Sequence, residues 1–108
     1  MAAPTCMIEG KAIDNIREDF RRADRIEQYR ISGRALYLPE GLRWKYIPLS
    51  EIRNVEESFR VISAGHCVPI REKRPEIDLS TAAGVIHVSL EKQESMEKIM
   101  NAIRAGRA

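Results

Sequence analysis

His66 and Cys67 are the one place in the 108 residues where an imidazole and a thiol are sequence neighbours. Such a pair could supply the base and the nucleophile of an acyl-transfer site, with His87 as a second candidate base. That chemistry needs the base turned toward the thiol and a third group holding the base. Adjacent residues of an extended segment point to opposite faces, so the two side chains do not present themselves to one another. Cys67 therefore reads as an ordinary half-buried thiol. His87 lies on a strand face with Val85 and Ser89, the setting of a structural histidine. A Cys/His metal centre needs at least three converging donors. No spacing in the chain supplies them, so no metal and no cofactor is expected. A P-loop, a glycine-rich dinucleotide turn and a supported Ser, His and Asp set are all missing. The expectation is a protein that is not an enzyme. A small enzyme or enzyme subunit using His66, Cys67 or His87 is the weakest alternative.

The residues that could bind rather than react are basic and aromatic. Arg30 and Arg34 flank the turn in RISGR, and Arg43, Trp44 and Lys45 form RWK. Strand alternation splits that triplet: Leu42, Trp44 and Tyr46 share one face, and Arg43, Lys45 and Ile47 share the other. Trp44 belongs to the core by this pattern; exposed, it would mark a contact hot spot. Arg17, Arg21 and Arg25 recur at helical spacing, but Glu18, Asp19 and Asp24 interleave with them and make a solvated face. REKRPE, Arg71 to Glu76, is the densest basic cluster and reads as a solvated loop.

The elements that must position these groups follow from periodicity. A tail over 1–7 precedes an amphipathic helix from about Ile8 to Ile26, with Ala12, Ile13, Ile16, Phe20 and Ala23 on one face. QYRIS, RALYL and LRWKYIP then read as a three-strand meander, turning at Ser32-Gly33 and at Pro39 to Gly41. A tight turn at Ser50-Glu51 leads into a strand from about Ile52. Residues 59–74 are either one interrupted strand or a loop with extended pieces. EIDLS and VIHVSLE form a hairpin with Gly84 at its turn; Ile86, Val88 and Leu90 point one way, and Val85, His87 and Ser89 the other. Met96, Ile99, Met100 and Ile103 stripe a closing helix from about Lys92 to Ala105, which Gly106 would cap.

Composition sets the class. The length suits one domain with a modest core. The net charge of +2, from 18 basic and 16 acidic residues, is too balanced to argue for nucleic acid, and none is expected as a partner. No apolar run nears the roughly 20 residues of a membrane helix, and MAAPTCMIEGK lacks the pattern of a secretory signal. Cys6 and Cys67 are too few for a disulfide framework and imply free thiols in a reducing, cytoplasmic setting.

ALYLPEG, then YIPLSEI, then IDLSTAAGVIHVSLE and the closing helix resemble the pleckstrin-homology-like (PH-like) superfold, in particular the small PH-like and GRAM-like domains common in bacteria. The resemblance spans about residues 26–105 and leaves 1–25 as an N-terminal tail and helix before a PH-like domain over 26–108. It implies an α+β fold: a bent antiparallel β-sandwich or partly open barrel of seven strands, a C-terminal capping helix, and here an extra N-terminal helix. It also implies a binding or scaffold module. The phosphoinositide motif of such domains fails in spacing, because no alternating basic pair follows Arg30 and Arg34, so phosphoinositide is not the expected ligand. Arg21-x-x-x-Arg25 with Asp78-x-Ser80 resembles the PilZ cyclic-dinucleotide pattern, but Gly84 comes one position late and the halves stand too far apart. The expected partner is a protein or peptide, or a second copy of the chain. Association with an anionic membrane surface through Arg30, Arg34, Arg43 and Lys45 is the alternative.

Overall fold

The computed structural model describes residues 3–64 and 70–107. In chain order it contains β1 (Thr5–Cys6), α1 (Ile16–Arg22), β2 (Asp24–Ile26), β3 (Tyr29–Ile31), β4 (Ala35–Glu40), β5 (Arg43–Pro48), a 3-10 turn (Leu49–Glu51), β6 (Asn54–Ala64), β7 (Ile70–Thr81), β8 (Gly84–Ser89) and α2 (Gln93–Arg107). Sheet A has five strands in the order β1-β5-β4-β3-β2, and sheet B has three in the order β6-β7-β8. β2 to β5 form an antiparallel meander of four, β6 to β8 a second of three, and β1 adds to the edge of β5 in parallel.

Alternation along sheet A sends side chains to two different cores. Tyr29, Ile31, Leu36 and Ile47 pack inward with Leu49 and Ile52, the sheet B residues Ile77, Leu79, Val88 and Leu90, and the α2 stripe Met96, Ile99, Met100 and Ile103. Ala35, Tyr37 and Tyr46 pack outward under Phe20 of α1, with Ile13, Ile16, Ala23 and Trp44 partly buried around them. The closing helix, the meander and the two faces of β8 thus follow the apolar pattern of the sequence.

Several expectations are corrected. The residues expected to be a tail pair with the sheet: Thr5 and Cys6 sit opposite Lys45 and Tyr46, and Met7 donates its N–H to the Tyr46 carbonyl at 2.9 Å. The N-terminal helix covers only Ile16–Arg22. Asn15 at its start is left-handed (φ 58), and Ala23 leaves it in an extended conformation. Ile13, Ile16, Phe20 and Ala23 share the expected apolar face, but Ala12 is exposed; Arg25 lies in β2, opposite Arg30 of β3, so Arg17, Arg21 and Arg25 form no helical stripe. A domain boundary after residue 25 falls inside β2. Leu42 belongs to the β4–β5 turn rather than to a strand face, beside Gly41 at φ 59, and its side chain is fully exposed at 101%. Arg71 to Glu76 lies within β7, paired residue by residue with β6, because the β6–β7 ladder continues beyond the core. Gly106 is not a cap: α2 runs through it. A Cβ there would stand 2.3 Å from Leu49 Cδ1 and 3.0 Å from the Gly33 carbonyl oxygen, so this glycine is required by close approach.

Candidate functional site

The basic and aromatic candidates are dispersed by the sheet. Arg30 lies on the outer face of sheet A, its guanidinium 4.4 Å from the Phe20 ring centroid and 5.6 Å from that of Trp44. It also donates to the Phe20 carbonyl at 3.3 Å, satisfying a carbonyl near the end of α1. Phe20 meets Tyr37 edge-on at 5.0 Å and Trp44 at 5.1 Å. Trp44 is thus half-buried beneath α1. Lys45 points to the opposite face and pairs with Glu40 at 2.7 Å. Arg34 and Arg43 are exposed at opposite ends of the β4–β5 ladder, separated by about 20 Å at the rise of a strand. Of the five candidates, only Arg30 and Trp44 come together, and they do so to hold α1.

The polar groups under α1 are satisfied in the same spirit. The Tyr37 hydroxyl donates to Asp19 Oδ2, and Ser32 Oγ donates to the same oxygen at 2.7 Å. Burial, followed by this bond to a carboxylate, pushes the Tyr37 phenol far above its ordinary range. Burial also raises Tyr46, whose hydroxyl accepts the Ile13 N–H at 2.9 Å. A neutral buried phenol of this kind fixes packing and supplies no nucleophile. His66 and Cys67 lie outside the described residues. Arg21 and Arg25 fall in different elements from each other, and Asp78 and Ser80 lie on sheet B, so the dinucleotide-like pattern is spread over two sheets.

Sheet B is built differently. Its inner face carries Ile77, Leu79 and Val88. Its outer face carries Ser58 on β6, Glu76 and Asp78 on β7, and His87 and Ser89 on β8, brought level by the pairs Ser58 with Glu76, Glu76 with Ser89, and Asp78 with His87. The hairpin register is set where Thr81 Oγ1 accepts the Ala83 N–H at 3.1 Å and donates to the Gly84 carbonyl at 3.0 Å. His87 Nδ1 lies 2.6 Å from Asp78 Oδ1, a bond that raises the imidazole above its ordinary value. The expectation drawn from the sequence concerned a centre of Cys and His donors and did not extend to a mixed set of carboxylates and imidazole. One donor atom each from Glu76, Asp78 and His87 lie within 4.8 Å of one another. The signal was present in the sequence: once the hairpin turns at Ala82-Ala83, Asp78 and His87 must pair.

The two edges of sheet B also differ. Outside β8, the Tyr29 hydroxyl donates to the Ser89 carbonyl at 3.0 Å and accepts the Ser89 N–H at 3.1 Å. The Glu27 carboxylate accepts the N–H groups of Glu91 and Lys92 at 2.8 and 3.2 Å, serving the donors ahead of α2. β6 has only β7 beside it. The Ser80 carbonyl accepts from the Arg53 N–H at 2.8 Å, and the Pro75 carbonyl accepts from Leu90 at 3.0 Å. Even-numbered residues of β7 therefore face β6, and odd-numbered ones face β8. By the same alternation, Val55, Glu57, Phe59 and Val61 turn their backbone N–H and C=O groups to the open edge. Phe59 and Val61 are 59% and 57% exposed, because the hairpin reaches beyond the inner core. Sequence reasoning missed this edge, since residues 59–74 show no clean alternation.

Among the described residues these features define a small α+β domain of two sheets and a C-terminal helix, with the β6 edge and the polar face of sheet B open. No helix among the described residues is long and apolar enough to cross a membrane. No protein-family model matches the chain, and comparison with curated proteins and with solved structures finds no significant similarity.

Proposed function

We propose that this chain is a non-enzymatic interaction module of PH-like type that associates with a second copy of itself along the open edge of β6. The PH-like reading is supported by the order of elements: a meander of four strands, a meander of three, then a helix packed between them. The observation that carries the self-association is the sequence of β6 itself. Exposed edges of this length are a template for strand addition. Antiparallel pairing of two β6 strands about Ser58 places odd residues in hydrogen-bonding positions, as the open edge requires. It sets Glu56 of one copy opposite Arg60 of the other, twice by symmetry. Val55 then meets Val61, and the two Phe59 rings become diagonal neighbours within aromatic reach. Shifting the axis to Glu57 would oppose two like charges.

Light scattering and sedimentation across concentration test the reading. A dimer is expected. Glu56→Arg should weaken it by at least about 10-fold, since one such pair of close charges at an interface is worth about 1.5 kcal/mol or more. Adding Arg60→Glu to that variant should restore it, because the swapped charges again oppose one another. A monomer at every concentration, or a dimer indifferent to Glu56→Arg, would overturn the proposal. The lipid alternative has less support, since Arg30 is held by Phe20 and Trp44 and Lys45 by Glu40.

A further inference from the structure

We propose that Glu76, Asp78 and His87 bind one divalent first-row transition ion, of the zinc type, on the outer face of sheet B. The site's three donors come from β7 and β8, so pairing at β6 would leave them in place, although Ser58, which stands behind Glu76, lies at the axis of that pairing. Three features argue for it.

The first is placement. Asp78 and His87 are direct cross-strand partners, and Glu76 stands two residues along the same face of β7. The three donor atoms already fall within 4.8 Å of one another. An ion bound tetrahedrally at about 2.1 Å from each donor needs them roughly 3.4 Å apart. His87 Nδ1 and Asp78 Oδ1, at 2.6 Å, would open by less than about 1 Å, and the widest pair would close by about 1.4 Å, within the reach of side-chain torsions at a half-exposed surface.

The second is chemistry. One imidazole and two carboxylates form a nitrogen and oxygen donor set with two negative charges, which suits a borderline dication and balances its charge. The set has no thiolate, so it does not select copper(I) or an iron–sulfur cluster. His87 is exposed, which leaves room for water at a fourth position.

The third is support behind the donors. Ser89 Oγ donates to Glu76 Oε1 at 3.2 Å, and Ser58 Oγ lies 3.4 Å from Glu76 Oε2. Each carboxylate oxygen has a second lone pair, so these hydroxyls orient Glu76 without using up its capacity. Such partners hold ligands in place in metal sites and are each worth about 10- to 100-fold in affinity.

The test is a titration of the folded chain with Zn²⁺ by calorimetry and with Co²⁺ by visible absorption, with imidazole shifts followed by NMR. One equivalent should bind, with shifts at His87 and a rise in Tm on adding Zn²⁺. His87→Ala should weaken binding by about 100-fold or more, and Ser58→Ala with Ser89→Ala by at least about 10-fold. His66→Ala, which removes the chain's other histidine, should change nothing. Circular dichroism checks that each variant is folded. Absence of stoichiometric binding, or binding that survives His87→Ala or is lost with His66→Ala, would overturn the proposal.

Discussion

The two phenylalanines of this chain sit in opposite circumstances. Phe20 is 7% exposed beneath α1, ringed by Tyr37, Trp44 and the Arg30 guanidinium. Phe59 is 59% exposed on β6. The contrast extends to their sheets. Sheet A is covered on both faces, by α1 and the N-terminal segment outside and by the main core inside. Sheet B is covered on one face and leaves a polar face and a strand edge open. A strand closed on all sides can only stabilise, whereas an open edge and an open set of donors can be recognised. The difference also explains why Arg30 and Trp44, which looked like binding groups, pack beneath α1: they belong to the covered sheet.

The comparison is broken most directly at Phe20. Phe20→Ala removes the ring that seals the outer face of sheet A and should cost about 3–4 kcal/mol in urea unfolding. A loss below about 1 kcal/mol would mean that α1 is only loosely attached. Gly106→Ala comes next. Its methyl must displace Leu49, which is fully buried, and approach the Gly33 carbonyl. Overpacking of this kind costs about 1–3 kcal/mol, and the better helix propensity of Ala returns up to about 1 kcal/mol of it. A net loss of about 1 kcal/mol is expected; a gain would show that the inner face of sheet A has slack. Phe59→Ala should have the smallest effect, within about 0.5 kcal/mol when measured on the monomer at high dilution, although it removes the same ring as Phe20→Ala. A cost near that of Phe20→Ala would show that the β6–β7 hairpin is packed in the monomer and would remove the asymmetry between the sheets.

Much of the fold is legible in the residues. The spacing of Met96, Ile99, Met100 and Ile103 places α2, and the alternation of Val85 to Leu90 assigns both faces of β8. Where the sequence misleads, local pattern and distant contact disagree. Ile13, Ile16, Phe20 and Ala23 keep a helical period, yet they continue one apolar face through a loop, a short helix and the entry to β2, because all of them must cover Tyr37 and Tyr46. β6 shows little periodicity because Phe59 and Val61 lie past the core, where no face is selected for burial. The convergence of Glu76, Asp78 and His87 needed only the hairpin register, which Thr81 and Gly84 fix. Each donor looks ordinary in its own strand, so the set emerges only when the strands are laid side by side.

By itself, the sequence determined an α+β domain with a meander, a late hairpin and a packed C-terminal helix, because hydrophobic period is a local property. The tertiary structure alone decided that the RWK stretch belongs to a covered sheet, that Gly106 is held by Leu49 and Gly33 rather than by a helix end, and that the open surface lies on β6, β7 and β8. Those outcomes depend on which faces find partners across the chain, and burial of that kind is settled by packing between distant segments.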